Sequence, residues 1–388
     1  MKQANKSTRD RCPACSSPAA HLLDWEFSGL GDSIFNYTAH FFCCQDCSLV
    51  YVQNIDDEKL AQYYAGECSY FEKPHFAVTS PTNQEKYEAY IRFLNDNRVA
   101  PVDMADIGCG RGGFVSRLSE RWEAACWGVD VDMRSMPQGE GKDKAAFRMG
   151  DAAQLPFGDR SLGLLTYFHI LEHVRDLHGL LSEAVRVLQP DGFIMIEVPD
   201  AERYRAHPIG SAFWISIREH IYHYTAKALV AALQSHGFHI LQVSRQTLPT
   251  PEFSYPSLMV LARKRERPAA VANIPIAGDV AAYVLESREA LLRQAQEILG
   301  VAENQQVTLW GCSAELFSLL PLLDRRRVRI CDSSKLKQGT SYKGMAIEDP
   351  RSVPISGTLI IAPYLHGVAI KSTARQLGWS ESAMHLLH

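Results

Sequence analysis

The segment Asp106-Ile107-Gly108-Cys109-Gly110-Arg111-Gly112-Gly113-Phe114 carries four glycines in six positions, 108 to 113. An apolar strand pattern at 102–107 enters it and a helical pattern at 114–118 leaves it. Glycines between a strand and a helix let the backbone turn sharply and let a ligand approach main-chain N–H groups closely. Gly108, Gly110 and Gly113 satisfy G-x-G-x-x-G, the spacing of a dinucleotide fold. The same string also reads D-x-G-x-G, with Asp106 two residues before the first glycine. A carboxylate there repels a pyrophosphate.

Outward from this loop, strand and helix patterns alternate. Tyr87, Tyr90, Ile91 and Leu94 share one face of a helix near 84–97. Strands are expected at 125–129, 162–168, 193–198, 239–243 and 257–261, with helices at 177–188 and 225–236, the latter stopped by Gly237. Such alternation predicts a parallel sheet covered on both faces. Asp130 closes the strand Cys126-Trp127-Gly128-Val129, where a carboxylate can accept hydrogen bonds from ribose hydroxyls; Asp132 is its understudy. Asp151, in Gly150-Asp151-Ala152-Ala153, can accept an adenine amino proton. Asp106 suits the cationic amino-acid end of S-adenosylmethionine.

The flanks differ from this centre. Cys12-Pro13-Ala14-Cys15 and Cys44-Gln45-Asp46-Cys47 are two C-x-x-C pairs, a spacing that sets four thiolates around one Zn²⁺. Residues 16–43 between them exceed the usual zinc-ribbon spacer, and Ile34–Tyr37 with His40–Phe42 read as strands of a longer hairpin. Four thiolates leave no open coordination position, so the expected role is structural. Residues 263–278 form a charged, then Pro- and Ala-rich linker, and a long helix follows near 279–299. Strand and helix patterns then return at 307–310, 315–323, 328–331, 359–362 and 368–377. The expected segments are a zinc lobe over 1–82, a core over 83–262, a linker and helix over 263–300 and a smaller α/β domain over 301–388.

Composition narrows the class. The chain has 388 residues, 40 basic against 44 acidic, a net charge of −4 and 46% hydrophobic residues. That balance speaks against nucleic acid as partner. The short runs Arg263-Lys264-Arg265 and Arg325-Arg326-Arg327 read as solvated turns. No signal-peptide core and no long apolar run is visible, which predicts a cytoplasmic protein without a membrane span. The six cysteines outside the two pairs follow no pairing pattern and read as reduced thiols.

The DIGCGRGG loop, GVD, GDAAQLPF, FHILEHV and LQPDGFIMIEVP resemble, in order and spacing, the class I S-adenosylmethionine-dependent methyltransferases. The resemblance implies a seven-stranded Rossmann-like sheet whose last strand is antiparallel. It implies cofactor contacts at Asp106, Gly108, Gly110, Asp130, Asp151-Ala152 and the backbone near Phe168. The whole layout resembles the zinc-containing deoxysugar C-methyltransferases, which act on nucleotide-linked keto-sugars. That resemblance implies His173, Glu219 and His220 as general base and sugar-contacting groups. It also implies Tyr70 as a contact from the N-terminal lobe, while His169 and Tyr222 are further candidates for contacting the acceptor.

Ile217 stands where that family carries a tyrosine, and Thr247-Leu248-Pro249-Thr250 replaces its His-Gly-Gly stretch. Transfer to a sugar carbon therefore stays beside transfer to a hydroxyl or amine, with His220 or His173 as base. A rival from another class is a zinc-ribbon binding protein around a vestigial cofactor core. Intact Asp106, Gly108, Gly110 and Asp130 speak against it. The expected partner is a small molecule, and the chain is expected to be a monomer or homodimer.

Overall fold

The computed structural model describes residues 11–64, 78–132, 134, 145–207, 209–210, 212–265, 274–323 and 327–387. By their contacts the residues form two units. The first comprises Met1–His21, Phe42–His207 and Ile221–Val280; the second comprises Leu22–Phe41, Pro208–His220 and Ala281–His388.

The chain opens with β1 (Ala19–Glu26), β2 (Thr38–Cys44) and β3 (Val50–Val52), then helices α1 (Asp57–Gln62) and α2 (Pro81–Asp96). There follow β4 (Met104–Ile107), α3 (Gly113–Ser119), β5 (Cys126–Asp130), β6 (Ala145–Met149), β7 (Leu162–Phe168), α4 (Leu177–Val187) and β8 (Leu188–Pro199). After α5 (Phe213–Ser216) come β9 (Tyr222–His223), α6 (Ala226–Ser235), β10 (Phe238–Pro249) and β11 (Ser254–Lys264). Local signals set several of these ends. Ser80 caps α2 through Asn83 N with Pro81 in its first turn, and Thr225 caps α6 through Ala228 N. Gly237, at φ +82°, ends the turn after α6.

The first unit is built on a seven-stranded sheet in the order β10-β11-β8-β7-β4-β5-β6. Strands β4 to β8 pair in parallel, and β11 pairs antiparallel with both β8 and β10, so β11 alone runs against the rest. From β4 the chain steps outward to β5 and β6, then returns to β7 and β8 on the other side. The reversal leaves a crevice beyond the carboxyl ends of β4 and β7, where open α/β sheets take ligands. The expected parallel core is present. Strand β6 is an addition: its Ala145-Ala146-Phe147-Arg148-Met149 lacks the apolar run of a central strand because it lies at the sheet edge. There Arg148 stacks on Trp127 of β5, 3.8 Å from the ring centre.

The second unit contains most of α7 (Val280–Ala302), then β12 (Val307–Trp310), α8 (Ala314–Leu319), β13 (Val328–Cys331), β14 (Ser341–Tyr342), β15 (Met345–Glu348), β16 (Thr358–Ile361), α9 (Gly367–Gln376) and β17 (Met384–Leu386). Its six-stranded sheet has the order β14-β15-β13-β12-β16-β17, parallel except for the β14–β15 pair. The core gathers Trp310, Leu359, Ile361, Trp379 and Met384. Within the same unit, Ile34–Tyr37 is a turn and not the expected strand. Asn36 decides this: its Oδ1 accepts from Gly29 N and its Nδ2 donates to Gly31 O, both at 2.8 Å. A side chain that satisfies backbone groups locally competes with a strand ladder.

Candidate active site

Asp106 is the penultimate residue of β4, at 4% exposure, and its carboxylate accepts a 2.7 Å hydrogen bond from Thr166 Oγ1. Burial pushes its pKa up to about 7, and the Thr166 bond only partly opposes this. Gly108 follows at φ +72°, with its N–H donating to Val129 O at 2.7 Å. Gly110 N donates to Asp130 Oδ2 at 2.8 Å, and Asp132 N donates to Asp130 Oδ1 at 2.9 Å. The loop and the tip of β5 are thereby locked together around one carboxylate. Burial raises the Asp130 pKa against the pull of these backbone donors. Asp132 is spent on Arg134 at 2.8 Å. Asp151 sits on the turn after β6 and accepts from Ala153 N at 2.7 Å, beside Ala152. Val131 and Met149, 37% and 65% exposed, leave apolar surface next to Asp130 and Asp151.

The second unit repeats this geometry in a closed form. Cys312 N donates to Asp332 Oδ2 at 2.6 Å and Ser334 N to Asp332 Oδ1 at 2.7 Å. Lys337 Nζ reaches Cys312 O at 2.7 Å and Asp332 Oδ2 at 3.3 Å, and Ser313 caps α8 through Leu316 N. Helix α3, by contrast, starts at Gly112 with no side-chain cap. The open loop is the one in the first unit.

Beyond β7 and β8 lies a network that sequence reasoning saw only in part. Phe168 stacks on Tyr90, with ring centres 4.0 Å apart and planes 9° apart. His169, at φ +56°, places Nδ1 2.8 Å from Glu172 Oε1 and Nε2 2.9 Å from Tyr255 Oη and 3.2 Å from Glu197 Oε2. Glu197 also accepts from Tyr90 Oη at 3.3 Å and Tyr255 Oη at 3.2 Å. Burial draws the His169 pKa down, but Glu197 and Glu172 outweigh it and the net shift is upward. With a carboxylate on each side, His169 has its charged form favoured over that of a free imidazole. His173 lies one turn further on, with Nδ1 2.7 Å from Tyr64 Oη. Tyr64, Glu197 and Tyr255 were not singled out from sequence, and Tyr90 reads only as part of an apolar helix face. Only Glu197 left a signal, as the one acid inside the apolar strand Phe193-Ile194-Met195-Ile196-Glu197-Val198.

Glu219 and His220 lie in the second unit, in the turn after α5, where His220 N donates to Ile217 O at 3.0 Å. Tyr222 is buried in β9, paired with Tyr51, and its hydroxyl donates to Arg175 O at 2.5 Å. Tyr70 lies outside the described residues.

Residues 82–243, which take in strands β4 to β8, the glycine loop, His169, Glu172 and Glu197, match the family model described as a methyltransferase domain. By that match the segment is a methyltransferase domain. Among curated proteins, ajmaline N-methyltransferase of Rauvolfia serpentina is 27% identical over 114 residues, covering 28% of this chain and 39% of that protein. The probable chloroplastic tocopherol O-methyltransferase of Oryza sativa subsp. japonica is 29% identical over 119 residues, covering 29% and 33%. The chain therefore spans about two fifths or less of the length of these relatives. Among solved structures, geranyl diphosphate C-methyltransferase from Streptomyces coelicolor A3(2) aligns with a TM-score of 0.40 and 16% identity, covering 54% of this chain and 97% of that one.

Ahead of the methyltransferase domain, Cys12, Cys15, Cys44 and Cys47 converge, with all four sulfurs within 4.8 Å of one another. Cys12–Cys47, Cys15–Cys44 and Cys15–Cys47 are each 3.5 Å apart. A tetrahedral ion with bonds of about 2.3 Å needs edges of roughly 3.8 Å, so the donor set fits Zn²⁺. Ala14 N points at Cys12 Sγ, and Asp46 N and Cys47 N point at Cys44 Sγ, each at 3.4 Å, an arrangement that favours thiolates. Cys47 O accepts from Thr225 Oγ1 at 2.6 Å, and Lys227 Nζ reaches Asp46 Oδ1 at 2.7 Å. These two bonds tie the second knuckle to the start of α6 in the methyltransferase domain.

Proposed function

We propose that the chain transfers a methyl group from S-adenosylmethionine to a small acceptor, with a nucleotide-linked keto-deoxysugar as the acceptor class its resemblance implies. The observation that carries this reading is Asp130, aimed by Gly110 N and Asp132 N beside an open glycine loop. Two backbone donors orient that carboxylate and leave it lone pairs for ribose hydroxyls. Asp106 would meet the ammonium of the amino-acid end, and Asp151 the adenine amino group. Bound there, the cofactor supplies a sulfonium methyl. The chain's own work is to align the acceptor in line with that methyl and to take up one proton.

His173, oriented through Nδ1 by Tyr64, is a base candidate of the first unit. The resemblance assigns the same role to His220 with Glu219. Cys12, Cys15, Cys44 and Cys47 would hold a structural Zn²⁺ without an open position. The N- and O-methyltransferases among the relatives support methyl transfer and leave oxygen, nitrogen and carbon acceptors in play.

Calorimetric titration with S-adenosylhomocysteine tests the reading. One site per chain is expected, with Asp130→Ala weakening it at least about tenfold, the scale of a lost pair of hydrogen bonds. The unfolding midpoint should stay in place. Unchanged affinity in the variant overturns the ribose assignment, and no uptake by the native chain overturns the function.

A further inference from the structure

We infer that Lys86 receives a negatively charged oxygen of the acceptor, so that the acceptor reacts as an oxyanion (an enolate, alkoxide or carboxylate) and not as an amine. This rests on the methyltransferase reading and narrows its substrate class.

Lys86 lies on α2 one turn before Tyr90, and residues four apart share a helix face. Tyr90 Oη donates to Glu197, and Lys86 lies within electrostatic reach of both Glu197 and His169. Yet the ammonium makes no hydrogen bond or ion pair among the described residues. Glu197 already accepts from Tyr90, Tyr255 and His169. Three N–H donors are thus unspent in a half-buried site. Burial holds the Lys86 pKa below its ordinary value, with Glu197 pulling it back up. A desolvated ammonium gains most from a charged acceptor atom.

Place decides which anion this is. Glu197 of β8 pairs in register with Phe168 of β7, whereas Asp106 and Asp130 lie at the carboxyl ends of β4 and β5. Lys86 therefore stands with Glu197 on the β8 side of β7, while Asp106 borders β7 from β4 and Asp130 lies one strand further away. In transfer to oxygen or carbon, the acceptor's O–H or C–H proton passes to a base and negative charge collects on an acceptor oxygen. That acceptor's electron pair then forms the bond to the methyl carbon, and the carbon–sulfur pair stays on sulfur. An amine attacks through a neutral lone pair, gains nothing from Lys86, and is repelled by it in its protonated form.

Oxalate, a small planar dianion, is the probe. It is titrated calorimetrically at fixed ionic strength into the full chain, with and without saturating S-adenosylhomocysteine. One oxalate per chain is expected, weakened at least tenfold in Lys86→Ala and largely retained in Lys86→Arg, with S-adenosylhomocysteine affinity within twofold in both variants. Retention in Lys86→Arg shows that the loss in Lys86→Ala is one of charge and not of folding. Equal oxalate affinity in Lys86→Ala, or no oxalate uptake by the native chain, overturns the inference. So does a parallel loss of S-adenosylhomocysteine affinity, which would assign Lys86 to the cofactor's carboxylate. A native chain that binds oxalate but no S-adenosylhomocysteine overturns the methyltransferase reading, and with it this use of Lys86.

Discussion

Asp106 is a carboxyl group with one side-chain donor, Thr166, and a pKa raised by burial to about 7. Its folded value lies above the ordinary carboxylate value of about 3.9. The group's contribution to stability is therefore complete below that ordinary value and is lost as pH rises through about 7. A bound ammonium reverses the preference, because it favours the ionised form. Affinity for S-adenosylhomocysteine should accordingly climb with pH between 5.5 and 8, by up to roughly tenfold per unit below the pKa. Asp106→Asn should flatten that slope in a calorimetric series; a native chain with no slope contradicts the assignment. Asp106 was legible in sequence from its two-residue spacing to Gly108, and Asp130 from its place at the end of an apolar strand pattern. His169 was legible as a candidate but not in its surroundings, since its partner Glu197 comes from β8, remote in sequence.

At the scale of elements, the loop between β4 and α3 makes a graded demand on its glycines. A Cβ at Gly108 would lie 1.9 Å from Ile170 Cδ1, whereas one at Gly110 would meet nothing within 4 Å; both have positive φ. Gly110→Ala should cost only the left-handed strain of about 1–2 kcal/mol. Gly108→Ala should cost more and also displace Ile170, so its unfolding midpoint and cofactor affinity should fall further than those of Gly110→Ala. Equal effects in both assays would mean that the Ile170 contact does not shape the loop.

Strand ends were the least legible feature. Strand β10 runs on to Pro249, paired with Ser254, well past the apolar stretch that marks it. Its place at the sheet edge explains this, because an edge strand tolerates polar residues and a terminal proline.

Across the molecule, the two C-x-x-C knuckles fall in the same contact unit as the seven-stranded sheet. Thr225 and Lys227 at the head of α6 hold Cys47 O and Asp46. Metal held by the four cysteines should therefore stabilise more than its own knuckles. Chelation, or Cys44→Ser, should lower the melting transition that unfolds the seven-stranded sheet, and metal analysis should find about one Zn²⁺ per native chain. A chelated chain that melts as before would refute the metal reading.

Reading the residues alone yields the alternation of strands and helices, the glycine loop with its two acids, and the paired cysteines. All of these are periodic patterns or short spacings that local chemistry enforces. Folding alone decides which remote groups meet. It surrounds His169 with Glu172, Glu197 and Tyr255, sets Tyr64 on His173, leaves Lys86 unspent and ties up Asp332. Such burial and pairing depend on how distant segments pack, and no spacing along the chain encodes them.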